Sequence, residues 1–111
     1  SLSNKLNDPT SHGEIASIRD ACKNLETPHL SGAILYASMQ PCLMCLGATM
    51  WSEITKIVFA CPKEKVSIEY FGGHYQSTAL NSQLTHPLEL VHLEDFEAES
   101  LAIVHDWEKA L

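Results

Sequence analysis

The 111-residue chain carries 14 acidic against 7 basic side chains, a formal net charge of −7, and 45% of its residues are hydrophobic. That size suits one globular domain with a modest core, and the acidic balance opposes binding to phosphate backbones and anionic membrane surfaces. No apolar run approaches the roughly 20 residues that cross a bilayer, so small molecules or protein partners are expected and a membrane is not.

Taken in order, the chain opens with a polar stretch, after which Asp8-Pro9-Thr10-Ser11 supplies helix-start signals. A helix is predicted from near Ser11 to about Leu25, with Ile15, Ile18, Cys22 and Leu25 on one buried stripe. Ala33-Ile34-Leu35-Tyr36-Ala37 reads as a buried strand, and Leu46 to about Ser52 as a buried helix with Met50 and Trp51 in the core. Lys56-Ile57-Val58-Phe59-Ala60-Cys61 reads as a strand covered on both faces and stopped by Pro62. Between Lys63 and Pro87 the pattern suggests a short helix over Val66–Tyr70, a turn at Gly72-Gly73 and a loop over Asn81–Pro87. Leu88–Leu93 is a third strand, and Phe96–Leu111 a closing helix with acidic residues in its first turn and Lys109 late, as the helix dipole favours. Strands alternating with helices predict a three-layer α/β/α domain with a mostly parallel sheet, spanning residues 1–111 as one unit. In such sheets a ligand lies beyond the carboxyl ends of the strands.

Cys42 and Cys45 stand at that end, two residues apart at the start of a helix whose N-terminus favours thiolates. Their sulfurs can turn toward one point, which makes a metal half-site or a redox pair. With a C-x-x-C spacing and no signal peptide, a reducing cytoplasm is expected. Cys22 and Cys61 are read as small core residues, and His29, His74, His86, His92 and His105 as surface or capping residues, with His74 the one placed to line a pocket. Tyr70, Phe71 and Trp107 are within reach of a ligand by their place in the chain.

His12-Gly13-Glu14, roughly thirty residues before Pro41-Cys42-Leu43-Met44-Cys45, matches the His-x-Glu and Pro-Cys-x-x-Cys signature of zinc nucleobase deaminases. More widely, Asp8–Glu14 and Pro41–Ala48 resemble the two motif segments of the cytidine deaminase-like superfamily, on the branch of guanine, cytosine and transfer-RNA adenosine deaminases. The resemblance implies zinc on His12, Cys42 and Cys45, with a fourth position open to water whose pKa such sites lower to about 7. Glu14, beside a ligand yet not one itself, would carry protons as an exocyclic amino group is exchanged for a carbonyl. Simpler readings compete. Ser11-x-x-Glu14 is also a capping box; the cysteines alone fit a thioredoxin-like pair or half a structural zinc knuckle. A redox pair leaves His12 and Glu14 unexplained, and a structural site would fill its fourth position with another Cys or His.

The chain departs from the family at Gly13, where Ala is usual, and at Gln40, where Glu is usual. The family fold also carries a helix and a two-stranded hairpin before Asp-Pro-Thr, which supply a substrate-contacting Asn. The chain therefore reads as N-terminally incomplete relative to the family, and neither Asn4 nor Asn7 is assigned that role. Guanine deaminases have Phe-Asp-Asp where Phe71-Gly72-Gly73 stands, which weakens guanine as substrate. Pro87–Trp107 resembles the ending of transfer-RNA adenosine deaminases in layout, but Glu94, Asp95, Glu97 and Glu99 would repel RNA. The expected activity is hydrolytic deamination of a free nucleobase or nucleoside by a likeness-implied homodimer, self-associating through the apolar connections around Trp51. A transfer-RNA adenosine deaminase forming inosine, or a non-catalytic zinc scaffold, are the alternatives.

Overall fold

A computed structural model describes residues 7–109, with side chains to residue 106. Asn4 and the side chain of Trp107 therefore lie outside the described residues. The elements are helix α1 (Gly13–Leu25), strand β1 (Ile34–Met39), helix α2 (Leu43–Trp51), strand β2 (Lys56–Cys61), short helix α3 (Ser77–Ser82), strand β3 (Glu89–His92) and helix α4 (Glu97–Lys109). Single 3₁₀ turns occupy Lys63–Lys65, Ile68–Tyr70 and Glu94–Phe96. The three strands form one parallel sheet in the order β1-β2-β3, with Leu35 opposite Ile57 and Ile57 opposite Leu90.

Parallel strands need long crossovers, and right-handed crossovers between neighbours bring successive connections to the same side of the sheet. The core answers to that geometry. Leu30, Leu35, Leu46, Ile54, Ile57 and Leu88 form one buried cluster, joined by Ile18, Ala21 and Cys22 of α1. Consecutive side chains of a strand point to opposite faces, and every residue of β2 from Ile57 to Cys61 is buried, so both faces of the central strand are covered as expected. Helix α4 packs against β2. Among the described residues, no helix is long and apolar enough to cross a membrane.

Four expectations are corrected. Strand β1 is not buried: it is the sheet's edge, and Ile34 and Tyr36 face outward at 45% and 67% exposure, leaving Leu35 as its buried anchor. Trp51 is 79% exposed and Met50 only half-buried: the last turn of α2 buries Thr49 instead, and these two side chains turn away from the core. These two residues line a cavity of about 680 Å³ at the amino ends of β2 and β3. Leu25 is also exposed, since α1 stops there with Glu26 in the left-handed conformation. The region read as loop over Asn81–Pro87 instead begins inside α3, whose end is tied down when Asn81 bonds both the carbonyl and the amide of Leu88 at 2.8 Å.

Ile57, wholly inaccessible at the centre of the sheet, sets a test of this packing. Ile57→Ala is expected to cost about 2–5 kcal/mol in denaturant unfolding, whereas Ile103→Ala on the exposed side of α4 should stay within about 0.5 kcal/mol.

Candidate metal centre

Strand β1 delivers the chain to Pro41, which is buried and immediately precedes the N-cap of α2. Cys42 is the N-cap of α2 in extended conformation, and Cys45 lies in the first turn, so the two sulfurs share the open end of the helix. Cys42 is 7% exposed and Cys45 fully buried. His12 is the N-cap of α1, and its Nδ1 lies 3.7 Å from each of the two sulfurs. The ligand atoms of His12, Cys42 and Cys45 all fall within 4.8 Å of one another, a group that could hold a metal ion.

The turn before α1 fixes His12. Asp8 accepts from the Thr10 amide at 2.9 Å, the Thr10 hydroxyl at 2.6 Å and the Ser11 hydroxyl at 3.1 Å. Arg19, reaching back from α1, donates to Asp8 at 3.3 Å and to the Thr10 hydroxyl at 3.2 Å. These donors, Thr10 foremost, hold the Asp8 carboxyl at about 2, below the ordinary 3.8. Ser11 spends both its amide and its hydroxyl on Asp8, so no capping box forms around Glu14. After Cys42 and burial, the charge of the half-buried Glu14 carboxylate adds to the raising of the Cys45 pKa.

Cys42 and Cys45 behave as one titrating unit. The Cys45 thiol donating to Cys42, helped by the backbone dipoles of Cys45 and Met44 and by His12, brings Cys42 down to about 5. The Cys42 thiolate, burial and Glu14 push Cys45 far above the ordinary thiol range. At neutral pH the pair therefore carries one negative charge and shares one proton.

Around these donors lies a second cluster: Ile15 and Phe71 are buried against both cysteines, with Met39, Val66, Tyr70 and Tyr75 half-buried beside them. Phe71 and Tyr70 thus reach the site, as their place in the chain suggested. His74 is exposed and lines a separate cavity of about 310 Å³ with Lys63, Glu64 and Gln76. His92 departs from the surface reading: half-buried, it stacks on Phe59 with ring centroids 5.3 Å apart and meets Glu97 at 3.0 Å. Three residues that no motif announces also bound the site. The Tyr75 hydroxyl accepts from the Leu43 amide at 2.8 Å, buried Ser77 donates to the Pro41 carbonyl at 3.4 Å, and buried Lys63 donates from its backbone to Gln40 Oε1 at 2.8 Å. The only sequence signal for Lys63 was its position just after Pro62, where β2 ends at the ligand edge.

A parallel sheet with three metal donors and a carboxylate beyond its carboxyl ends is the arrangement of cytidine deaminase-like proteins. Over 61 residues the chain is 41% identical to a tRNA-specific adenosine deaminase of Aquifex aeolicus, covering 55% of this chain and 40% of that protein. Over 54 residues it is 48% identical to a guanine deaminase of Bacillus subtilis, covering 49% of this chain and 35% of that protein. A solved structure from work on A-to-I editing by tRNA A34 deaminases superposes with a TM-score of 0.74 at 33% identity, covering 91% of this chain and 70% of that one. The chain thus spans well under half the length of these two curated relatives. It belongs to the MafB19-like deaminase family, which matches residues 2–95.

Two titrations test this electrostatic picture. In reduced, metal-free protein, the ultraviolet thiolate absorbance should rise with a midpoint near pH 5 and vanish in Cys42→Ser; a midpoint at the ordinary 9.0 would contradict the shared-proton pair. Because folding lowers the Asp8 pKa, its stabilisation is complete above 3.8 and lost as pH falls through about 2. The stability gap between wild type and Asp8→Asn should accordingly be constant down to about pH 5 and close at the acid end.

Proposed function

We propose that this chain is the catalytic unit of a zinc-dependent hydrolytic deaminase acting on a free nucleobase or nucleoside. The observation that carries the reading is the meeting of the His12, Cys42 and Cys45 ligand atoms within 4.8 Å of one another, with Glu14 two residues after His12 in the chain. The donor set fits zinc: one nitrogen and two sulfurs at about 2.0–2.1 and 2.3 Å from a tetrahedral ion would lie roughly 3.6 Å apart, and the nitrogen-to-sulfur distances are 3.7 Å. Zinc takes deprotonated cysteine, so the shared proton of the pair would leave on binding. A bound zinc supplies Lewis acidity that makes water a nucleophile at neutral pH.

The chain's own residues do the rest. His12, Cys42 and Cys45 would hold the ion and leave it a position for water, and Glu14, two residues after His12, is the carboxylate that would serve that water. Water adds to the amino-bearing ring carbon, one of its protons passes through Glu14 to the adjacent ring nitrogen, and a second proton leaves with the amino group as ammonia. The carbonyl remains. Phe71, Tyr70 and Tyr75 offer flat apolar surface suited to a heterocycle.

A small uncharged substrate is favoured because the described cations beside this end of the sheet are engaged: Arg19 with Asp8, Lys65 with Glu97, and Lys63 with backbone carbonyls. The net charge of −7 works the same way against an RNA backbone. The second reading, adenosine deamination in transfer RNA, draws on the 41% identity to the Aquifex aeolicus protein.

An ammonia-release screen across guanine, cytosine, adenine and their nucleosides should find turnover. Inosine formation in an anticodon-loop transcript, with no free base consumed, would establish the second reading instead. Glu14→Gln is expected to keep stoichiometric zinc while losing activity by about 10²–10⁴-fold; a variant that loses nothing would mark a scaffold. Cys45→Ala should lose zinc and stability together, and a stable, zinc-replete Cys45→Ala protein would overturn the assignment.

A further inference from the structure

We propose that Lys63 is the positioning residue of this site, its backbone and its ammonium group bracketing the Cys42 turn and holding the 71–75 segment against the cysteine cluster. The inference rests on the deaminase reading for what the pocket does, and on the structure alone for the bracket.

Lys63 is 8% exposed, and a lysine that deep is tolerated only where its charge is met by other groups. Here the partners are two main-chain oxygens. Lys63 Nζ donates to the Gly73 carbonyl at 2.9 Å and to the Tyr75 carbonyl. It also lies 4.3 Å from the Tyr75 ring centroid and 5.4 Å from that of Phe71, within the range of cation–π attraction. No carboxylate is among these partners, so the ammonium is committed to the path of one loop rather than to an ion pair.

That loop returns to the cysteine. Gly72, at φ +70°, turns the chain after Phe71 in a conformation that side chains disfavour, and the following residues then run over Lys63. Tyr75 closes the circuit: its hydroxyl accepts the Leu43 amide at 2.8 Å, one residue after Cys42. On the other side the Lys63 amide donates to Gln40 Oε1, two residues before Cys42, at 2.8 Å. One residue thereby grips both flanks of the Cys42 turn, directly through Gln40 and through Tyr75 at Leu43. Phe71 and Tyr75, the aromatic residues in that grip, belong to the cluster packed on Cys42 and Cys45. Loosening Lys63 would therefore free the 71–75 segment without touching any metal donor, and weaken substrate binding more than the chemical step.

The test compares Lys63→Met, Lys63→Arg and Tyr75→Phe with wild type in zinc content, amide hydrogen exchange, KM and kcat. Lys63→Met should retain one zinc per chain and show at least about tenfold faster exchange over residues 71–76 with α1 unchanged. Its KM should rise about tenfold with kcat within about threefold, and Lys63→Arg, which can still donate to both carbonyls, should recover most of the KM. Tyr75→Phe should speed exchange at the Leu43 amide while leaving the Phe71 and Gly72 amides, which donate to the Ile68 carbonyl, protected, and it keeps the idea testable if Lys63→Met does not fold. Unchanged exchange over 71–76 in Lys63→Met, or exchange raised evenly along the whole chain with no recovery by arginine, would overturn the proposal. If wild type turns over no substrate, the deaminase reading fails by itself, and the zinc and exchange measurements still decide the bracket.

Discussion

The structure turns on two helix N-termini aimed at one point. Helix α1 is capped by His12 and α2 by Cys42, and neither cap residue spends its side chain on closing its own helix. Both side chains are thereby free to meet each other, and the N-terminal end of α2 brings positive potential to the sulfurs. The rest of the fold serves this meeting. A parallel pair β1-β2 with α2 between them obliges α2 to start at the ligand edge of the sheet, and the Asp8 turn, clamped by Arg19, sets His12 against it from the other side.

The site's charge balance follows. Two cysteines are buried together, and the pair responds by keeping its proton on Cys45. A proton held that way is a placeholder for a stronger cation. What separates this centre from a disulfide-forming pair is His12, whose Nδ1 lies 3.7 Å from each sulfur and which a two-cysteine redox site does not require.

What could be read from the sequence and what could not divide along chain distance. The cysteine pair, its place after a strand, and the His12–Glu14 segment are short patterns, each fixed by local backbone geometry, and all were legible. β2 was legible to the residue because five consecutive buried apolar side chains admit few alternatives. β1 was not, since Ile34, Leu35 and Tyr36 form the same kind of run while occupying the sheet's edge; hydropathy reports what a strand would tolerate, and neighbours decide what covers it. Trp51 misled for the same reason. Lys63, Tyr75 and Ser77 were invisible because their contacts bridge between 10 and 36 residues and follow no spacing rule. Only the folded loop shows that a lysine, ordinarily a surface residue, has been turned inward.

That loop also shows what stands where guanine deaminases carry Phe-Asp-Asp. Gly72 and Gly73 give the backbone room to fold back on Lys63, and the rings of Phe71 and Tyr75 lie beside its ammonium group and in the cluster around the cysteines. Flat rings discriminate by shape and stacking more than by hydrogen-bond pattern. On the proposed reading, the carboxylates of a Phe-Asp-Asp segment would select a base by its donors, whereas rings held here would select for a planar heterocycle, so how firmly Lys63 keeps them in place would bear on the choice of substrate.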